Sequence, residues 1–145
     1  MQDYLQQRGY TAIPLFKNEV GHFGINVILQ GFPTHFILDT GAASSVLDMD
    51  FAEKHQFMVE KTDLLGGGVG TSALDIYKVH LASFTVGDLE IGEWELYIAD
   101  LQHVKDSLIK KGIQQLADGV LGADVLLLYQ AIIDYGGQQL YLKCP

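Results

Sequence analysis

Asp39 stands at the end of an apolar run, in the segment Phe36-Ile37-Leu38-Asp39-Thr40-Gly41-Ala42-Ala43-Ser44-Ser45-Val46-Leu47. A carboxylate is succeeded at once by a hydroxyl residue and a glycine. A strand ahead of it would fix the carboxylate, Gly41 would let the backbone turn close beside it, and the Thr40 hydroxyl could hold that turn. A carboxylate so placed suits proton-transfer chemistry. The plainer reading is an aspartate that only forms a turn. Against it, the wholly apolar strand predicts Asp39 at the edge of a core rather than out in solvent. A second apolar-apolar-glycine segment, Gly119-Val120-Leu121-Gly122-Ala123-Asp124-Val125-Leu126, also lies further along the chain.

Other chemistry is poorly served. Gly68-Val69-Gly70-Thr71-Ser72-Ala73 fits a relaxed dinucleotide fingerprint, but that motif needs a strand before it and a helix after it, and the residues after it are strand-like. No Gly-Lys-Ser/Thr is present for a phosphate loop. The five histidines, His22, His35, His55, His80 and His103, are 13 to 25 residues apart with no paired helical spacing, so they read as surface or packing residues rather than metal ligands. Ser44 and Ser45 lack the Gly-x-Ser-x-Gly setting of a hydrolase nucleophile. Phe84, Trp94 and Tyr97 read as core aromatics.

The elements that must position Asp39 are mostly strands. Phe23, Ile25, Val27 and Leu29 alternate with Gly24, Asn26, Ile28 and Gln30, which predicts a half-buried strand. Gly31-Phe32-Pro33-Thr34 reads as a turn, after which His35 to Asp39 is extended again. Residues 74–86 and 94–98 predict hairpin strands broken by Gly87-Asp88 and Gly92. Residues 131–135 and 139–142 flank Gly136-Gly137, a dipeptide suited to the positive φ angles of a tight turn. Short helices are predicted over 51–55, capped by Asp48 or Asp50, over 103–116 with Val104, Leu108 and Ile109 on one side, and after Gly122. The fold class is mostly β: a small closed barrel or sandwich with two or three short helices.

These residues resemble the retropepsin-like aspartic proteases, the single-lobe relatives of pepsin. The family's first hallmark is matched by Asp39-Thr40-Gly41-Ala42 through Ser45-Val46-Leu47. Its second, an apolar pair and glycine opening a short helix, is matched by Val120-Leu121-Gly122 before Asp124. Its flap, a glycine-rich hairpin that closes over substrate, falls at residues 65–72. The resemblance runs from Phe23 to Leu142, and Asp118-Gly119-Val120-Leu121-Gly122-Ala123-Asp124 with Ile133-Asp134-Tyr135 looks more like the bacterial members than the viral ones. It narrows the fold to a small closed β-barrel of that type.

The resemblance implies that Asp39 is the catalytic aspartate, that the Thr40 hydroxyl braces two active-site loops, and that the Gly41 backbone approaches substrate. Ala42, Gly68, Val69, Gly70 and Thr71 would contact substrate. Val120, Leu121, Gly122 and Asp124 would form a structural second motif, with Asp124 accepting from Ser45 or capping its helix. Viral members often carry an arginine and an aspartate where this chain has Ala123 and Ala43, so the viral dimer contact is in doubt. Residues 1–20 form an N-terminal segment ahead of a single domain over 21–145. That segment and the Cys144 end either join an intersubunit sheet, as chain ends do in viral relatives, or lie loose.

Aspartic proteolysis needs two carboxylates close enough that only one ionises easily. This chain has one Asp-Thr-Gly. The resemblance therefore implies a homodimer with a shared dyad, hydrolysing peptide bonds with no metal, cofactor or covalent intermediate. The alternative is a non-catalytic peptide-binding or dimerisation module that keeps the fold.

Composition fits either. The 145 residues suit one domain with a real core, and 9 basic against 18 acidic side chains give a net charge of −9. Such a balance argues against nucleic-acid and acidic membrane partners, which are bound through Lys and Arg. No apolar run approaches the ~18–20 residues that span a bilayer. The opening residues lack the pattern of a signal peptide. Neither the lone Cys144 nor anything else in the residues fixes a compartment.

Overall fold

A computed structural model describes residues 1–66, 74–113 and 116–144. In chain order the elements are α1 (Gln2–Gln6), β1 (Tyr10–Pro14), β2 (Phe16–Lys17), β3 (Phe23–Leu29), β4 (Phe32–Leu38), β5 (Val46–Asp48), α2 (Met49–Lys54), β6 (Glu60–Gly66), β7 (Leu74–Val86), β8 (Leu89–Ala99), α3 (Gln102–Lys110), β9 (Gly119–Leu121), α4 (Ala123–Leu128), β10 (Ile132–Asp134) and β11 (Gln139–Lys143). The fold is mostly β. None of the helices among the described residues is long and apolar enough to cross a membrane.

Six strands close a barrel in the order β3-β4-β9-β5-β8-β7, and the pairing of Val27 with Val86, Ile28 with Thr85 and Leu29 with Phe84 completes the ring. Closure removes the free edges that an open sheet would leave. Alternation does the filling: Ile25, Val27 and Leu29 of β3 point in with no exposed surface, as do Phe36, Leu47, Leu81, Phe84, Val86, Leu96, Ile98 and Leu121. Each such side chain contributes about 1.5–3 kcal/mol by leaving water. β4 and β5, consecutive in sequence, do not pair. Instead β9, from far downstream, lies between them, parallel to β4 and antiparallel to β5.

The chain ends do not lie loose. β1 pairs antiparallel with β11 of the same chain, from Tyr10 opposite Lys143 to Pro14 opposite Gln139, and β10 completes a three-stranded sheet. Ile13, Leu140 and Leu142 carry this sheet into the barrel core.

Several sequence expectations need correction. The first hairpin turns on Gln30 (φ 52°) and Gly31 (φ 84°), two residues, so Phe32 and Pro33 already belong to β4. Gln30 tolerates its left-handed backbone because its side-chain oxygen accepts the Ala82 and Ser83 N–H groups at 2.9 and 3.0 Å, at a bulge in β7. At the last hairpin neither Gly136 nor Gly137 has positive φ; Gln138 does, at 51°. A Cβ at Gly137 would press on the Asp134 carboxylate that accepts its N–H, so a larger residue there would have to displace that side chain. Gly92 marks a bulge inside β8 rather than its start.

Helix α3 stops at Lys110, not Leu116. Gly112, at φ 79°, lets the Ile113 and Gly112 N–H groups bond back to Leu108 and Ile109, and Leu108 packs on Ile113. Ile109 is exposed rather than on the buried side. The described helices number four, the additional one being α1, where Leu5 is buried.

Candidate active site

The turn after β4 is clamped along its length. Phe36, Ile37 and Leu38 pair with Gly119, Val120 and Leu121, and the Asp39 N–H extends the ladder by donating to the Leu121 carbonyl at 3.0 Å. The Ala42 N–H then donates to the Asp39 carbonyl at 3.2 Å, closing a tight turn, and the Gly41 N–H donates to Asp39 Oδ1 at 2.9 Å. That last bond fixes how the carboxylate is turned.

The far side of the turn is tied to α4. The Ala123 N–H donates to the Ala42 carbonyl at 2.7 Å. Gly122 N–H donates to Ser45 Oγ at 2.9 Å, and that hydroxyl donates to Asp124 Oδ1 at 2.7 Å. Asp124 also accepts the Ser45 N–H at 2.9 Å and its neighbour Val125 N–H at 2.8 Å. Ser45 is fully buried, so these bonds are made away from water, where an unmade one is costly. Glycine is required at 122 because a Cβ would lie within 3 Å of backbone atoms of Ala42 and Ser44, and at 119 because it would strike the Phe36 ring and the Val46 carbonyl.

Asp118 adds a brace that sequence reasoning misses, although it adjoins the second motif. Its carboxylate accepts the His35 N–H at 3.0 Å, its own N–H donates to the His35 carbonyl at 2.7 Å, and its carbonyl accepts the Asp48 N–H at 2.8 Å. The His35 imidazole is pushed below its ordinary range by burial, with Asp118 pulling the other way.

Asp39 itself is exposed in the protomer, as are Thr40 and Gly41, while Ala42 is half-buried. The expectation that Asp39 sits at the edge of the core is thus wrong for one chain. The apolar strand buries Phe36, but the Asp39 N–H makes the last bond of the ladder to β9 and its side chain is left exposed. Among the described residues the Thr40 hydroxyl has no partner within the protomer. Gly68, Val69, Gly70 and Thr71 lie outside the described residues, in the connection between β6 and β7.

Beside Asp39 is a cleft of about 400 Å³ lined by Ile37, Leu38 and Val120, by His103, Val104, Ser107 and Leu108 of α3, and by His22. Nothing in sequence spacing links His22 to His103. The α3 wall is pinned by Lys105, whose ammonium donates to Asp48 Oδ2 at 2.7 Å and Asp50 Oδ2 at 2.9 Å, while Asp48 Oδ1 accepts the Leu101 N–H at 3.0 Å. The Asp48 hydrogen bond, more than any other contact, raises the Lys105 ammonium well above its usual range.

A closed six-stranded barrel, with an Asp-Thr-Gly turn bound to a strand threaded between β4 and β5, is the retropepsin-like fold. Comparison with known proteins agrees. Residues 25–125 match the sequence profile of the family described as aspartyl protease, and the chain belongs to that family. Among solved structures it is similar to a retropepsin-like aspartic protease from Rickettsia conorii (TM-score 0.59, 22% identity, 92% of this chain and 89% of that one). It is also similar to EIAV protease, solved with the inhibitor HBY-793 (0.58, 20% identity, 82% and 98%). A third is the retroviral protease-like domain of Ddi1 from Leishmania major (0.53, 17% identity, 84% and 93%). No curated protein matches by sequence.

Proposed function

We propose that this chain is an aspartic endopeptidase whose active site is shared between two copies, Asp39 of one facing Asp39 of the other across a two-fold axis. The observation that carries this reading is the Asp39 turn: bonded to Leu121, Ala123 and Gly41 yet exposed at its tip, it offers one well-held carboxylate where the reaction needs two. At about 3 Å apart the pair cannot both ionise. They titrate as one unit.

The ionised member takes a proton from water as the water oxygen attacks the scissile carbonyl carbon, and the protonated member donates to the carbonyl oxygen. The tetrahedral product collapses with cleavage of the C–N bond, the leaving amine taking up a proton from the dyad. The peptide lies extended, bound through main-chain hydrogen bonds, and Gly41, Ala42, Gly68, Val69, Gly70 and Thr71 are the residues proposed to contact it. The exposed Thr40 hydroxyl, without a partner among the described residues, braces the partner's turn.

Asp39→Asn tests this directly. It should abolish cleavage of a peptide library while sedimentation still shows a dimer. Cleavage by this variant at the wild-type rate, or a wild-type chain that cuts while strictly monomeric, would sink the proposal.

A further inference from the structure

Helix α3 lines the cleft beside Asp39, yet very little of it is packed. Among the described residues, Leu108 is the only buried one of its nine, and it joins a small cluster with Ile113 and Ala117 that is separate from the barrel core. A helix so short is marginal in water and must be placed by tertiary contacts. The other fastening is polar and comes from the end of β5. Asp48, only 3% exposed, accepts the Leu101 N–H at 3.0 Å with one oxygen and the Lys105 ammonium at 2.7 Å with the other. Asp50 adds a second carboxylate to Lys105 at 2.9 Å. Asp48 is bonded in turn towards the strand that carries Asp39: its N–H donates to the Asp118 carbonyl at 2.8 Å, and the Asp118 carboxylate accepts the His35 N–H of β4 at 3.0 Å. His35, Asp118, Asp48 and Lys105 thus form an unbroken chain of bonds between β4 and α3. Those two elements line the same cleft, β4 through Ile37 and Leu38 and α3 through Val104 and Leu108, which lie on either side of Lys105 in the sequence.

Resting on the endopeptidase reading, we infer that the Lys105–Asp48 pair sets substrate selectivity: it fixes α3 against β4, and with that the size of side chain the cleft accepts beside the scissile bond. Lys105 and Asp48 are positioning residues, since neither lines the cleft. A wall held in one place rewards a side chain that fills the space, each methylene buried against it adding to affinity. A wall that drifts returns part of that gain, because filling the cleft must then also immobilise α3. The pair suits the task. Its side chains are 14% and 5% exposed, and a charge-assisted bond withdrawn from water is both short and directional. Loss of stability alone would weaken all peptides alike, whereas loss of position changes how they rank.

The test uses the full-length protein and two pools of hexapeptides, random at their outer positions, with Leu or Ala beside a hydroxyethylene replacement of the scissile bond. On the immobilised parent the Leu pool should bind about tenfold more tightly than the Ala pool. In Lys105→Met the ratio should fall to about threefold or less. Lys105→Arg, whose guanidinium can serve both carboxylates, should keep the parent's ratio. Lys105→Met with Asp48→Asn, relieved of the unpaired buried charge, should regain stability but not the ratio, and it serves as well where the single variant is too unstable to assay. A parent that does not distinguish the pools, or a double variant with the parent's ratio, would overturn the inference. Cleavable versions separate the two readings: a Leu preference that collapses in the double variant, with no cleavage by any of the proteins, leaves the positioning standing and removes the endopeptidase. Cleavage with a preference untouched by these variants does the reverse.

Discussion

Asp124, in the first turn of α4, bonds Ser45 at the start of β5, accepting its hydroxyl at 2.7 Å and its backbone N–H at 2.9 Å, so that one carboxylate secures the far end of the turn that carries Asp39. The same hydroxyl accepts the Gly122 N–H at 2.9 Å. A single buried oxygen therefore joins the two sequence motifs.

Ser45→Ala should cost about 1–3 kcal/mol, because it leaves the Gly122 N–H without its acceptor in a place water does not reach. Urea unfolding of the variant measures the loss. Cleavage should fall with it, since the turn that aims Asp39 loses its tie. A Ser45→Ala protein as stable as the parent would show that the bond is not what closes this turn.

At Gly122 even one methyl has nowhere to go, lying 2.7 to 2.9 Å from backbone rather than from a side chain that could swing aside. Gly122→Ala should lower stability by about 1–3 kcal/mol and shift the Ala42 segment. Because a small misplacement of a catalytic group is expensive, the turnover rate should drop by about a hundredfold, well beyond the stability change. Parallel melting curves and peptide kinetics separate the two losses.

Lys105→Met should destabilise by about 3 kcal/mol, since Asp48, only 3% exposed, would keep its charge and lose its partner. The exposed Asp50 leg adds little. A double change, Lys105→Met with Asp48→Asn, should recover part of the loss. If the single variant melts like the parent, the pin on α3 is unimportant.

His35 makes stability depend on pH. Burial lowers its proton affinity in the folded state, so the unfolded chain takes the proton first as acid is added. Its contribution is fully present above about pH 6.5 and is lost as pH falls through the lower folded value. Denaturation between pH 8 and 5 should show a shallower loss for His35→Gln than for the parent. Identical slopes would remove His35 from the account.

The Asp-Thr-Gly motif and the alternating barrel strands are legible in the sequence because both give local signals. Asp39-Thr40-Gly41 comes directly after an apolar strand, and the alternation of Ile25, Val27 and Leu29 marks one face as buried. β5 and β9, three residues each, carry no such alternation; they are strands because they pair with each other and with β4 and β8. The turn at Gln30 is hidden for a similar reason. Its left-handed backbone is held by the distant Ala82 and Ser83, and Pro33 has the character of a turn residue yet sits opposite Ile28 in the ladder. The cleft leaves no sequence signal at all, since His22 and His103 line it together only in the folded chain, where Asp48 and Lys105 hold α3.

The threading of β9 between β4 and β5 also sets an order in time. The turn bearing Asp39 is synthesised before β9, so its ties to Leu121, Gly122, Ala123 and Asp124 must wait until those residues emerge. Closing so long a loop is slow compared with forming a hairpin, and contacts of high sequence separation delay folding. A nascent chain thus carries Asp39 on an unbraced segment until β9 and the start of α4 have emerged.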